Sequence, residues 1–367
     1  MTEAEVQNRV DEVLQSCLEE VPFLSIRSIS REANSEKEIG KRSDLVARLE
    51  GTDGPVTFFI AAKGNGQPRF ARSAAQQLRR SIEDTEDSYG LFIAPYISER
   101  TARLLKEEDV GFVDLAGNCR ICFDNVYLRR EGRDNPFAEK RELKSLFARK
   151  ASRVLRPLLR APGRFWTTTE LSEEVEVSLG HVSNVRSVLL NEEWAEEGKK
   201  GIRLTDPEPL LKEWARSYKD QKQERHLFYS FDSPADVEKK IGEYGADQDL
   251  RYALTAFSGA ERFAPHVRYQ KASIYIDSQQ ISDVAEACSL KKVGSGETVE
   301  LIEPYDEGVF YDRTQVEGLQ VASPIQLYLD LSARSGRGEE AAETLLKEEL
   351  RPSWKQQIQQ KAKGHPE

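Results

Sequence analysis

The sequence predicts a multidomain chain of α/β and α+β class. An α/β domain is expected over residues 1–136, a central winged helix-turn-helix over 137–220, a second α/β domain over 221–357 and a tail over 358–367. Three observations predict it. At 367 residues the chain is too long for one ordinary core. Its first third alternates short apolar runs with amphipathic segments, the pattern of layered strands and helices. A helix-start signal at Thr167 is followed, across a short turn, by a second helical period after Ser178.

The elements follow in order. Val6, Val10, Val13, Leu14 and Cys17 recur at helical spacing over residues 2–20. Strands are expected at 23–26 and 45–49, with Asp53-Gly54 as a hairpin signal. Residues 56–62 are nearly all apolar, which suits the centre of a sheet. A helix at 72–84 and a strand at 90–94 come next, then a helix at 98–107 with Ser98 as its cap. Strands at 111–114 and within 118–128 finish the domain, joined by the compact turn Asp114-Leu115-Ala116-Gly117-Asn118.

Asp134-Asn135-Pro136 breaks the chain. Helices are then expected at 145–160, 168–175 and 178–193, with a wing strand at 199–204. Asp206-Pro207-Glu208-Pro209 is read as a second break before a helix at 210–218. The last domain should hold strands at 227–230, 267–276, 298–301 and 309–311, a helix at 252–260 and helices from Pro324 onward. Ser323-Pro324 is a helix start, and Gly336-Arg337-Gly338 an interhelical turn.

Composition narrows the function. Hydrophobic residues make up 38% and charged residues 32%, and no run of 18 apolar residues exists. The acidic start lacks the basic end and apolar run of a secretion signal, so a cytoplasmic protein is expected. Four cysteines fit a reducing compartment. Cys119 and Cys122 form a single CxxC with no second pair to complete a zinc site, so they read as small apolar residues, and no metal or cofactor is expected from them.

The net charge is −10, but nucleic-acid binding follows local potential. Between Lys140 and Arg164 nine basic residues stand against one acid, Glu142. This run leads into Thr167-Thr168-Thr169-Glu170, a capping-box pattern, with Leu171 and Val175 as the buried face of a first helix. Val182, Val185 and Leu189 would point inward from the second helix, and Trp194 would close the core. Such a second helix enters the major groove, where Asn pairs with adenine and Arg with guanine. Contacts to double-stranded DNA are therefore expected from Lys144, Lys150, Arg153 and Arg156 on the lead helix. Thr168, Ser178, His181, Ser183, Asn184 and Arg186 would add contacts from the two core helices, and Lys199 and Lys200 from the wing.

A second constellation lies earlier. Ser43-Asp44 opens one strand and Ala61-Ala62-Lys63 closes the next, a spacing that resembles the PD-(D/E)xK endonuclease superfamily. Gln76-Gln77-Leu78 on the following helix resembles it too. There, two carboxylates hold a divalent metal and the lysine positions water. Asp44 and Lys63 would be the catalytic pair, with Mg²⁺ needed only in this reading. Ala61 stands where the second carboxylate belongs, and Glu36, Glu38 and Glu50 are the acids near enough in sequence to replace it. A metal-dependent DNA nuclease is thus the alternative to a fold retained without chemistry.

The chain also resembles the AbiEi-like family of transcriptional regulators and antitoxins of type IV toxin–antitoxin systems. The resemblance rests on Ala94-Pro95-Tyr96, on Asp114 to Asn118, and on Ser178-Leu179-Gly180-His181-Val182. It is most specific in Ala322-Ser323-Pro324-Ile325-Gln326-Leu327-Tyr328 with Leu329-Asp330-Leu331, and in Gly336 to Ala342. It implies a restriction-endonuclease-like N-terminal domain, a winged helix and a C-terminal antitoxin-type α/β domain. It further implies promoter binding and a cognate nucleotidyltransferase toxin as partner. The expected function is a DNA-binding transcriptional regulator of antitoxin type.

Overall fold

The computed structural model describes residues 1–362 apart from 20, 32–42, 52–53, 84, 138–145, 220–222 and 265–268. Contacts divide the chain into two compact units, Met1–Arg141 with Asn191–Glu193, and Glu142–Leu190 with Trp194–Glu367.

The first unit is built on a seven-stranded sheet whose strands lie in chain order. They are β1 (Ser25–Arg31), β2 (Leu45–Gly51), β3 (Gly54–Ala62), β4 (Ser88–Ala94), β5 (Gly111–Asp114), β6 (Cys119–Phe123) and β7 (Val126–Arg130). β2 and β3 pair antiparallel with Gly51 opposite Gly54, as the hairpin signal predicts, although Asp53 itself lies outside the described residues. β3, β4 and β5 run parallel. Their crossovers are α3 (Pro68–Glu83) and α4 (Glu99–Glu107), the latter capped by Ser98 as expected. Alternation along β3 fills both faces of the sheet. Phe58 and Ile60 pack with Val6, Val10 and Leu14 of α1 (Glu3–Gln7) and α2 (Val10–Leu18). Ala61 points the other way, among Ala71, Ala74, Leu78 and Phe92.

The Asp114 turn is a closed hydrogen-bonded knot. The buried carboxylate accepts from the backbone N–H groups of Asn118 (2.8 Å) and Ile97 (3.1 Å) and from the Asn118 amide (2.9 Å). Burial pushes the Asp114 carboxyl above its usual range. Gly117 supplies the positive φ of +96° that closes the turn. Cys119 is buried in the sheet and Cys122 half-buried. Neither joins a group of three metal-ligating side chains among the described residues.

The second unit begins with α5 (Arg149–Arg160), α6 (Thr168–Glu174) and α7 (Leu179–Asn191). A hairpin follows, β8 (Ala195–Gly198) with β9 (Gly201–Leu204), and then α8 (Pro207–Tyr218). Helix, turn, helix and wing strand β9 thus come in the expected order, and β8, which pairs with β9, was not foreseen. Thr167 and Glu170 form the predicted capping box. Asp206-Pro207-Glu208-Pro209 is not a break: Asp206 caps α8 and the prolines fill its first turn, where a missing N–H costs nothing.

A second seven-stranded sheet completes the unit, in the order β13-β10-β14-β12-β11-β16-β15. Its strands are β10 (Arg225–Tyr229), β11 (Tyr252–Leu254), β12 (Ala272–Ile276), β13 (Lys291–Lys292), β14 (Val299–Ile302), β15 (Thr314–Val316) and β16 (Leu319–Val321). Two expectations change here, and one helix is new. The helix expected at 252–260 is strand β11 followed by the short α10 (Ala256–Ala260). The strand expected at 309–311 is a 3₁₀ turn, Glu307–Phe310, capped by Asp306. A helix not foreseen, α9 (Pro234–Gln248), packs Val237 and Ile241 into the core. After α11 (Ile281–Ala287) the chain ends in α12 (Pro324–Ser332), α13 (Arg337–Leu345) and α14 (Arg351–Ala362), with a π turn at Leu346–Leu350. Ser323 caps α12 as expected. One apolar cluster runs from Leu146 through Trp166, Leu189 and Trp214 to Ile274, Leu329 and Trp354, so helices and sheet of this unit share a core.

Candidate nucleic-acid interface and the Asp44–Lys63 pair

Lead helix α5 departs most from expectation. Lys144 lies outside the described residues. Lys150, at the start of the helix, is exposed. Arg156 is not a DNA contact: it is 1% exposed and lies 5.2 Å over the Trp214 ring. Its Nη2 donates to the Gln326 carbonyl oxygen (2.7 Å) and the Tyr305 hydroxyl (3.0 Å). Arg153 is not free either, because its Nε and Nη2 each donate at 2.8 Å to Asp306. Arg160 pairs with Asp312 (3.0 Å) and Arg164 with Glu170 (2.9 Å). The reason is plain in the burial pattern. Ala151, Val154, Leu155, Leu158 and Leu159 sink this helix into the core, and its basic side chains reach acids far along the chain.

Gln326 continues a buried polar network. Its amide donates to Asp330 (2.9 Å) and to the Tyr218 hydroxyl (2.9 Å). The Tyr218 and Tyr275 hydroxyls donate to the same carboxylate at 2.7 and 2.8 Å, and Thr255 donates to its other oxygen. Burial holds both tyrosines well above the ordinary phenol range, so they stay neutral donors. The Gln326 and Asp330 pair, four residues apart on α12, is therefore structural.

Helix α7 presents a different face. Val182, Val185 and Leu189 are buried, while Ser178, Ser183 and Asn184 are exposed and His181 half-buried. Thr168 is half-buried at the start of α6. Leu179, at the tip of α7, is 52% exposed. Sequence reasoning passed over it, although an apolar residue outside the helix's buried stripe was the available signal. Arg186 is not free: it pairs with Glu197 on β8. Lys199 and Lys200 are the exposed two-residue loop between Gly198 and Gly201. The hairpin has a third member that the sequence did not reveal. Trp166 and Ile202 exchange N–H···O bonds of 2.8 and 2.9 Å. A Cβ on Gly201 would sit 2.0 Å from the Trp166 carbonyl oxygen, so only glycine admits this approach. From Arg164 to Leu204 there are eight glutamates and five lysines or arginines, so the face is not basic.

In the first unit Asp44 and Lys63 do meet, at 2.9 Å. Asp44 also accepts from the Ala62 N–H (3.0 Å). The third member is Glu3 on α1, 3.2 Å from Lys63 Nζ, which sequence spacing could not disclose. Burial pulls the Lys63 ammonium down, but the bonds and charges of Asp44 and Glu3 outweigh it and hold it above the ordinary lysine value. Lys63 is thus a clasped cation, not a neutral base. Ala61 is buried in the apolar layer. Glu50 pairs instead with Arg27 at 2.6 Å, six residues along β2 from Asp44, about 20 Å at the strand rise. Glu36 and Glu38 lie outside the described residues. Gln76 is exposed and Gln77 half-buried. Among the described residues the donors at the site do not fit Mg²⁺, because the two carboxylates there, Asp44 and Glu3, are both engaged by Lys63.

The molecule is a mixed α/β multidomain protein with two mixed sheets, and no described helix is long and apolar enough to cross a membrane. Residues 203–351 match the family model described as "Transcriptional regulator, AbiEi antitoxin, Type IV TA system", so this stretch is an AbiEi-type antitoxin and transcriptional-regulator domain. A search of curated proteins finds no match. Among solved structures, the chain is similar to EndoMS in apo form, at 17% identity and a TM-score of 0.22, over 31% of this chain and 46% of that one. It is also similar to EndoMS in the EndoMS–dsDNA2 complex, at 23% identity and a TM-score of 0.19, over 31% and 44%. The chain thus spans less than half the length of either EndoMS chain.

Proposed function

We propose that this protein is a DNA-binding transcriptional regulator of antitoxin type, docking through a winged helix-turn-helix whose second helix is α7. The observation that carries the reading is the exposed polar start of α7, with Ser178, Ser183 and Asn184 opposite the buried Val182, Val185 and Leu189. Serine and asparagine at the tip of such a helix suit base edges, and Leu179 suits a thymine methyl. Lys199 and Lys200 reach flanking phosphates from the wing. The AbiEi-type domain in the same unit supports a regulatory role.

Among the described residues the free cations of this region are few, so the salt dependence should be shallow. Three phosphate contacts, from Lys150, Lys199 and Lys200, give a slope of log affinity against log salt of about −3. Gel shifts on the DNA upstream of the gene test the reading. Asn184→Ala should narrow the preference for that site over random duplex by about tenfold. Absence of binding at low salt, or unchanged preference in Asn184→Ala, overturns it. The partner implied is a nucleotidyltransferase encoded alongside, and co-expression that leaves its toxicity intact would remove the antitoxin part.

The first unit is, in this reading, an endonuclease-like fold without cleavage. What supports this is Lys63 held between Asp44 and Glu3, with Ala61 in the core. Incubating duplex DNA with Mg²⁺ should yield no product. Cleavage that Asp44→Ala abolishes would restore the nuclease alternative.

A further inference from the structure

The first unit carries a groove that none of these roles uses. Helix α4 covers β5, with Leu105 near Phe112, but stops short of β6 and β7. The same face of those two strands stays open. The pairing register lines up Phe112, Arg120 and Arg129 across β5, β6 and β7, with Tyr127 beside them. Arg103 and Lys106 of α4 form the facing wall. The cleft encloses about 560 Å³, within the range of small-ligand sites.

Two features mark it as built to receive an anion. Arg120 and Arg129 stand directly opposite one another, and like charges in that position destabilise a sheet. Glu131 answers Arg129 at 2.5 Å, yet Nη1 of Arg120 is buried with no hydrogen-bond partner. Arg103, Lys106 and Arg133 make no side-chain ion pair among the described residues, and the Arg133 guanidinium lies against Gly117, 2.8 Å from where a Cβ would be. The second feature is aromatic. Tyr127 is 64% exposed on the floor of this basic cleft, and Tyr96 lines its end. Cations beside an uncovered ring are the chemistry of phosphate plus base. Glu99 and Asp134 also line the cleft and can accept from a base amine.

We propose that this groove binds a nucleotide, its phosphate held by Arg103, Lys106 and Arg120 and its base stacked on Tyr127. The nucleotide is either free or part of a single strand. Fluorescence anisotropy on the full chain separates the two sources, using short labelled single-stranded DNA and RNA with ATP as competitor. Displacement by ATP at concentrations near its own affinity identifies a free nucleotide, and retention of the strand identifies a strand-binding groove. Arg120→Gln and Tyr127→Ala should each weaken binding about tenfold, the scale of one lost stacking or charged contact. Both should leave duplex binding by α7 unchanged, while Lys199→Ala does the reverse. Arg120→Gln should also melt at or above the temperature of the natural protein, because it relieves the Arg120–Arg129 repulsion. If neither strand nor ATP binds, or if both variants bind as the natural protein does, the proposal fails. Tyr127 is exposed enough that its variant tests the groove even if Arg120→Gln misfolds.

Discussion

Arg153 and Arg156 stand three residues apart on α5, and both are turned away from solvent. Arg153 holds Asp306 with two parallel bonds, and Arg156 joins Gln326, Tyr305 and the Trp214 ring. Their removal should therefore be read in stability, not in affinity. Arg156→Ala leaves a cavity and two unsatisfied partners, and should cost about 3 kcal/mol in denaturant unfolding. Arg153→Ala, which strands the buried Asp306, should cost about 2 kcal/mol. Neither should alter the slope of DNA affinity with salt. Lys150→Ala should do the opposite, leaving the unfolding midpoint in place and reducing that slope by about 1. A reduced slope in Arg156→Ala at unchanged stability would show that this side chain reaches phosphate after all.

At the scale of elements, the hairpin and helix α8 make the sharpest demands. Gly201→Ala forces a Cβ onto the Trp166 carbonyl and a positive φ of +114° onto an L-residue. Thermal melting should fall by several degrees, and duplex binding should weaken although residue 201 itself need touch no DNA. Unchanged melting would mean that Trp166 does not pair with the hairpin in solution. Helix α8 is tied to α14 through Glu208. The two Arg351 bonds (each 2.7 Å) hold its carboxyl down at about 2, against the desolvation that would raise it, with help from Lys212. A depressed acid stabilises the fold fully above its unfolded value, about 4.5, and that contribution is lost as pH falls toward 2. Melting temperature should therefore drop across that window, and Glu208→Gln should flatten the drop. An equally steep fall in the variant would place the acid sensitivity elsewhere.

For the whole molecule, the division into two units predicts how the chain can be cut. A fragment of residues 142–367 should fold and bind duplex DNA without the first unit. A fragment of residues 142–204 should not fold as a free module. It keeps α5 but loses Asp306, Gln326 and the Trp354 indole that donates to the Leu159 carbonyl oxygen (2.7 Å). Circular dichroism and melting of the two fragments check this, and cooperative unfolding of the shorter one would overturn it. Through α5 the helix-turn-helix is joined to the AbiEi-type domain by ion pairs, hydrogen bonds and a shared core. Arg153 and Arg156 make that connection.

What could be read from residues alone was local. Thr167 with Glu170, Ser98 before α4 and Ser323 before α12 are cap signals of three or four residues, and each marks a real helix start. The apolar run of β3 and the inward Val182, Val185 and Leu189 are periodic over one element, so they too were legible. Weak local signals misled. Tyr252 to Ala260 is rich in small residues that suit strand and helix alike, and α9 is polar with Gly242 and Gly245 inside it. Apart from Asp44 with Lys63, the fate of charge was not legible. Arg153 meets an aspartate 153 residues later, Arg156 a glutamine 170 residues later, and Lys63 a glutamate 60 residues earlier. An element's type follows from neighbours a few residues apart. Whether a cation faces DNA, an acid or a core depends on partners that only the folded chain brings within a few ångströms, where Coulomb and hydrogen-bond energies become decisive. The sequence by itself therefore determined the helix-turn-helix and the order of most elements, and the tertiary structure decided which of its basic residues remain free to act.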